Sequence, residues 1–230
     1  MSSTENRRAV RSFVLRAGRI TVAQRRALEE FSPRYIIEST GPLDLDAIFG
    51  RHAPHIVEIG FGHGENLIAL ARAAPETDFL GIEVHTPGVG KLMLEAAAAG
   101  LTNVRIVCRD AVEVLTEQIA DRSCEEILVF FPDPWPKKRH HKRRLIQAPF
   151  VELATRKLRP GGVLRLATDW QDYADQMLAV LGAATALENL APAGAGYCER
   201  PASRPLTHFE QRGARLGHGV RDLAFRRTGA

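Results

Sequence analysis

The sequence predicts an α/β fold, a mostly parallel sheet with helices on both faces. Three observations carry this. From about Pro54 onward, apolar β-type runs alternate with helical stretches. The first strand passes directly into a glycine-rich loop, and acidic residues stand at the ends of three successive strands. The chain has 230 residues, enough for one such domain with a proper core.

The elements follow in order. Residues 1–40 are basic and irregular and are expected to form an N-terminal extension with a possible RNA-binding role, with a single domain over 41–230. Within the extension, Thr21 and Gln24 have the spacing of a capping box and open a helix to Phe31; Pro33 and Gly41-Pro42 are expected to break the pattern. Strands are expected over Val57–Ile59, Phe79–Val84, Val104–Cys108, Ile127–Phe131 and Gly162–Thr168. Helices are expected over Glu65–Ala74, Gly90–Ala99, Leu145–Leu158 and Trp170–Leu181. Residues 186–206 read as a loop, and His218–Arg227 reads as a closing, antiparallel strand.

Charge is informative by its placement. The net charge is only +4, but Arg7, Arg8, Arg11, Arg16, Arg19, Arg25 and Arg26 crowd the start. Lys137, Lys138, Arg139, Lys142, Arg143 and Arg144 form a second cluster. Such concentration suits a polyanion. Each run, taken alone, reads more readily as a solvated surface or a disordered basic arm. Cys108, Cys124 and Cys198 form no C-x-x-C pair, so neither a zinc knuckle nor a disulfide framework is indicated. His140 and His141 are adjacent, a poor spacing for two ligands, and no metal is expected. With no long apolar span and no signal sequence, a cytoplasmic protein without membrane contact is expected, as a monomer or weak homodimer.

The glycine loop runs Glu58-Ile59-Gly60-Phe61-Gly62-His63-Gly64-Glu65. Gly60 and Gly62 let backbone approach a ligand, but the spacing is not that of a dinucleotide binder. Glu58 and Glu65 would repel a pyrophosphate. An acid beside the loop suits a cationic ligand such as S-adenosylmethionine. Glu83, at the end of the second strand, can accept both ribose hydroxyls. Asp110, after the third, can accept from the adenine amine. Each acid alone reads also as a helix cap or loop residue; the three together are more specific.

The fourth strand ends Phe130-Phe131-Pro132-Asp133-Pro134-Trp135-Pro136. Its three prolines fix the loop. Asp133 is a rigid acceptor within it, and Phe131 or Trp135 offers a face for a base, although packing explains Trp135 as well. Cations for phosphates and an acid for a base are what a nucleic-acid modifier needs.

At this point VEIGFGHGENL (57–67), FLGIEVHTPGVG (79–90), RDAVEVL (109–115), FFPDPWPKKRHHKRRL (130–145), LATDW (166–170) and RPLTHFEQRGARLGH (204–218) resemble the bacterial tRNA (guanine-N7)-methyltransferases. The N-terminal RSFVLRAGRIT (11–21) is similar too, so the resemblance runs from about residue 7 to 227. It implies a class I, Rossmann-like methyltransferase fold with a mostly parallel seven-stranded sheet, S-adenosylmethionine as donor and tRNA as substrate. It implies cofactor contacts at Glu58, Glu83, Asp110 and Asp133, with Asp133 also catalytic. Lys137 and Asp169 match substrate contacts, and Arg139 to Arg144 (with Lys142 and Arg143) match an RNA-interacting stretch. Thr207, His208, Phe209 and Glu210 match a substrate-binding segment in which the family usually has lysine where this chain has His208. The rival readings are a methyltransferase for another RNA, a small molecule or a protein; a non-catalytic RNA-binding protein; and a nucleotide-linked oxidoreductase.

Overall fold

The computed structural model describes residues 12–13, 18–207, 210–211 and 219–229. Helix α1 (Val22–Tyr35) opens with the expected capping box, Thr21 and Gln24 each capping the other's backbone N–H. It does not stop before Pro33, as the sequence had suggested. Proline removes one N–H from the last turn. The turn nevertheless closes through Ile36 N–H to the Ser32 carbonyl at 2.8 Å. Tyr35 is fully buried and donates its hydroxyl to the Leu101 carbonyl at 3.1 Å. Tertiary burial thus overrides the breaker.

A short helix α2 (Leu45–Phe49) follows, capped by Asp44 and ended by Gly50 in the left-handed region. Then come β1 (His55–Ile59), α3 (Glu65–Ala73), β2 (Asp78–Ile82), α4 (Thr86–Ala98), β3 (Val104–Val107), α5 (Ala111–Glu117) and β4 (Cys124–Phe130). A 3₁₀ turn (Lys138–Arg143) leads to α6 (Ala148–Lys157), β5 (Leu158–Thr168), α7 (Gln171–Gly182), β6 (Leu187–Asn189) and β7 (Arg221–Arg227). Three of these elements, α2, α5 and β6, were not foreseen: each is too short to show a periodic pattern. Strand β5 begins at Leu158 rather than at the expected Gly162, so Arg159-Pro160-Gly161-Gly162 lies inside the strand. That segment bulges within β5, where Leu158 pairs Cys124 and Val163 pairs Glu126.

The strands form one sheet in the order β3-β2-β1-β4-β5-β7-β6. β7 is antiparallel to both neighbours and the remaining pairings are parallel. The expected seven-stranded, mostly parallel sheet is therefore present, with the closing strand antiparallel as predicted. Alternate strand residues feed two cores. Ile106 and Phe79 pack with Leu67, Leu92 and Met93 under α1, α3 and α4. Val57, Leu80, Ile127 and Leu164 pack with Val114, Phe150 and Met177 under α5, α6 and α7. Burial on both faces explains why β2 is buried at every position. All parallel strands point the same way, so the segments after β1, β2, β3, β4 and β5 converge on one edge, where open α/β sheets bind ligands.

Candidate active site

At that edge lie two adjoining cavities of about 460 and 210 Å³, which share Gly60, Phe130 and Phe131 as walls. Glu58, Gly62, Asn66 and Thr207 line the larger; Glu83, Pro132 and Asp133 line the smaller.

The glycine loop is shaped by backbone geometry. Gly60 (φ +71°) and Gly62 (φ +57°) sit in the left-handed region. The start of α4 presses on the loop: a Cβ at Gly88 would lie 2.0 Å from the Gly62 carbonyl oxygen. Glu83 ties the same loop down. One carboxylate oxygen accepts from Gly62 N–H at 2.8 Å, and the other from Val84 N–H at 2.7 Å and His85 N–H at 2.9 Å. Glu83 is therefore a loop staple as well as a candidate ribose acceptor.

Glu58, next to last in β1, is almost fully buried, 3% exposed. Burial pushes its carboxyl up to about 7, the Asn66 hydrogen bond pulls it down, and the Glu83 charge adds to the rise. Asn66 donates its side-chain N–H to Glu58 at 3.1 Å. Its own Oδ1 is buried with no hydrogen-bond partner among the described residues. An ionisable acid and an orphan acceptor side by side on a cavity wall fit a cationic amine. They fit the methionyl end of S-adenosylmethionine and would reject a phosphate. Asn66 was missed in the sequence, although it directly follows the glycine loop.

Asp110 caps α5, accepting from Val112 N–H at 2.8 Å. It lines neither cavity, but its neighbours Arg109 and Ala111 line the smaller one. Asp133 does line that cavity, on a loop whose ends are strained: Phe131 (φ +53°) and Trp135 (φ +44°) are left-handed without being glycine. Each such residue costs ~1–3 kcal/mol and persists only where surroundings dictate it. Phe131 N–H bonds the Ala167 carbonyl at 2.8 Å, and Trp135 donates its indole N–H to the Ser12 carbonyl at 3.0 Å. Trp135 is thus an anchor for the N-terminal segment rather than a free stacking face. Ser12 and Phe13 line the smaller cavity beside it.

The basic run divides into two parts. Lys137, Lys138, Arg139, Lys142 and Arg143 are exposed, and the Arg143 guanidinium lies 5.0 Å from the Trp135 ring centre. Arg144 does not share the phosphate-facing role expected of it. It is 3% exposed and donates to the Pro134 carbonyl (2.8 Å), Gln176 (2.6 Å) and Asp172 (2.5 Å), with Tyr173 beneath it. Its fork fixes the Asp133 loop to α7. That hydrogen bond holds the Asp172 carboxyl below the usual range. Burial and the charges of Arg139, Arg143, Lys137 and Lys142 hold the His140 imidazole below its usual range.

Asp169 follows β5 at the same edge, half-buried and outside both cavity walls. In the last segment Thr207 lines the larger cavity, and its hydroxyl accepts from Glu210 N–H at 3.3 Å. The expected substrate acceptor Glu210 is instead turned inward, 3% exposed, with its carboxylate 2.6 Å from Arg204. His208 and Phe209 lie outside the described residues, as do Arg7, Arg8, Arg11 and Arg16. Among the described residues, no cluster of three or more His, Cys, Asp or Glu could hold a metal, and no helix is long and apolar enough to cross a membrane.

Comparison with solved structures agrees with this architecture. The 16S rRNA methyltransferase KamB superposes with a TM-score of 0.60 at 16% identity, covering 85% of this chain and 99% of that one. A 16S rRNA (adenine(1408)-N(1))-methyltransferase variant from Catenulisporales acidiphilia, solved with cosubstrate SAM, gives 0.54 at 18% identity over 81% and 92%. These likenesses show the class I, Rossmann-like methyltransferase fold, here with acids along its ligand-binding edge.

Sequence relatives narrow this further. A family model described as "Putative methyltransferase" matches residues 52–223. A protein of Thiobacillus denitrificans named tRNA (guanine-N(7)-)-methyltransferase is 58% identical over 95% of both chains. Proteins of the same name from Aromatoleum aromaticum and Pseudomonas putida are 59% and 52% identical over 96% of this chain, and 85% and 92% of theirs. The chain belongs to the tRNA (guanine-N7)-methyltransferase family.

Proposed function

We propose that this protein transfers the methyl group of S-adenosylmethionine to N7 of a guanine in the variable loop of tRNA, forming 7-methylguanosine. The observation that carries this is the pair of adjoining cavities lined by Glu58, Asn66, Glu83 and Asp133, with an exposed run of cations following Asp133 in the chain. Relatives of that name at 52–59% identity support it.

The bound donor would supply an electrophilic methyl on a cationic sulfur. Glu58 and Asn66 Oδ1 would hold its ammonium, and Glu83 and Asp110 its ribose and adenine. Guanine N7 carries no proton, so the enzyme needs no base there. It needs orientation, with N7 roughly 3 Å from the methyl carbon. It also needs negative charge near a ring that becomes cationic. Asp133, held on a strained loop at the cavity wall, would supply both by accepting from the guanine N1–H or amine, with Asp169 as a further acceptor on that edge. Lys137, Arg139, Lys142 and Arg143 would bind phosphates.

The test is transfer of labelled methyl to unmodified bulk tRNA, followed by nucleoside digestion. A 7-methylguanosine peak is expected. Tight cofactor binding without that product would overturn the substrate assignment.

A further inference from the structure

A buried charge cluster that the mechanism above does not use centres on Arg204, which lines the larger cavity beside Phe130, Phe131 and Thr207. Arg204 is 2% exposed. One guanidinium nitrogen lies 2.6 Å from Glu210 and another donates to Asp222 on β7 at 2.9 Å. Its charge also lies over both aromatic rings, 5.4 Å from the centre of Phe130 and 5.6 Å from that of Phe131. Burial raises the Asp222 carboxyl, while Arg204 opposes the rise. Arg200 is the only other cation recorded against this cluster among the described residues, 3.9 Å from Glu210.

Two buried carboxylates and one cation are a costly arrangement unless the geometry is well satisfied. What the arrangement joins explains its use. Phe131 is the strained first residue of the Asp133 loop. Glu210 is the residue whose N–H is capped by Thr207, and Thr207 lines the larger cavity. Asp222 belongs to the sheet. One guanidinium thus ties the base-recognition loop, the Thr207 turn and the rigid scaffold together.

We infer that Arg204 is a positioning residue for methyl transfer, acting through Glu210 and the Phe131 face to set the Asp133 loop and the Thr207 turn relative to each other. Glu210 is then its partner, holding the Thr207 turn in place. Only a planar fork can span both carboxylates and lie on two rings, so lysine cannot replace it. This rests on the methyl-transfer reading above.

The experiment is a double-mutant cycle on turnover with Arg204→Met, Glu210→Gln and the double variant, alongside cofactor Kd and the KM for tRNA. Each single variant is expected to lower kcat by 10-fold or more, with Kd and KM within 3-fold of the parent. The double variant should be no more than 3-fold slower than the worse single. Multiplicative losses, or a Glu210→Gln effect confined to KM, would overturn the inference by making Glu210 an independent contact. If Arg204→Met does not fold, Arg204→Lys replaces it. A kcat clearly below that of the parent is expected, and parental turnover would overturn the claim. If the parent itself yields no 7-methylguanosine, the functional reading fails and this inference falls with it.

Discussion

Glu83 accepts a hydrogen bond from the backbone N–H of Gly62 at 2.8 Å, joining the end of the second strand to the glycine loop after the first. A single carboxylate therefore sets the loop and is also the candidate ribose acceptor. Glu83→Gln should weaken S-adenosylmethionine binding by 10- to 100-fold, about 1.4–2.7 kcal/mol, because an amide N–H would replace an acceptor facing backbone donors. Calorimetric titration checks this, and an unchanged Kd would reduce Glu83 to a bystander.

Glu58 should make cofactor binding depend on pH. Its folded carboxyl sits at about 7 against an ordinary value of 4.5. Between these, the folded ligand-free protein holds a proton that the unfolded chain has released. Its stability should fall as pH rises through that window and level off above 7. A bound cation favours the ionised form, so cofactor affinity should rise over the same window, and binding below pH 7 should release a proton. Titration in buffers of differing ionisation enthalpy reads this directly. Glu58→Gln should abolish the proton release.

Asp133→Asn keeps shape but removes charge. Turnover should drop by roughly 100-fold or more, in the range of lost transition-state electrostatic contacts, with tRNA binding intact. Near-parental turnover would remove Asp133 from the chemistry.

The indole of Trp135 holds Ser12, on the segment that connects to the N-terminal arginines. Trp135→Phe keeps a ring and loses the donor, worth ~0.5–1.5 kcal/mol. Affinity for tRNA should fall several-fold while cofactor Kd holds steady. Filter binding and calorimetry on the same variant separate the two.

Replacing any two of Arg139, Lys142 and Arg143 should flatten the log K versus log salt slope for tRNA by roughly one unit per lost contact. Arg144→Ala should leave that slope alone. It should instead lower the melting temperature by several degrees, since charge-assisted hydrogen bonds of ~1.5–3 kcal/mol each are lost, and slow turnover by freeing the Pro134 carbonyl. A salt slope altered by Arg144→Ala would return that residue to the RNA face.

The sequence by itself determined the order of strands and long helices, the glycine loop with the acid Glu58 before it, the capping box at Thr21 and the antiparallel final strand. These are local or periodic signals, written in spacing that a single segment carries. It also placed Glu83 and Asp133 at one edge, because strand ends in a parallel sheet must converge. Only the tertiary structure decided the rest. Pro33 stays inside α1 because Tyr35 is buried. Strand β6 exists because β7 offers it hydrogen bonds. Arg144 reads in sequence like its neighbours Lys142 and Arg143, yet it is a clamp because Asp172 and Gln176, a helix away, accept from it. Glu210 reads as a base acceptor and is instead buried against Arg204. In each case the side chain's partner is distant in sequence, and charge or hydropathy at one position cannot say which way a long side chain will turn.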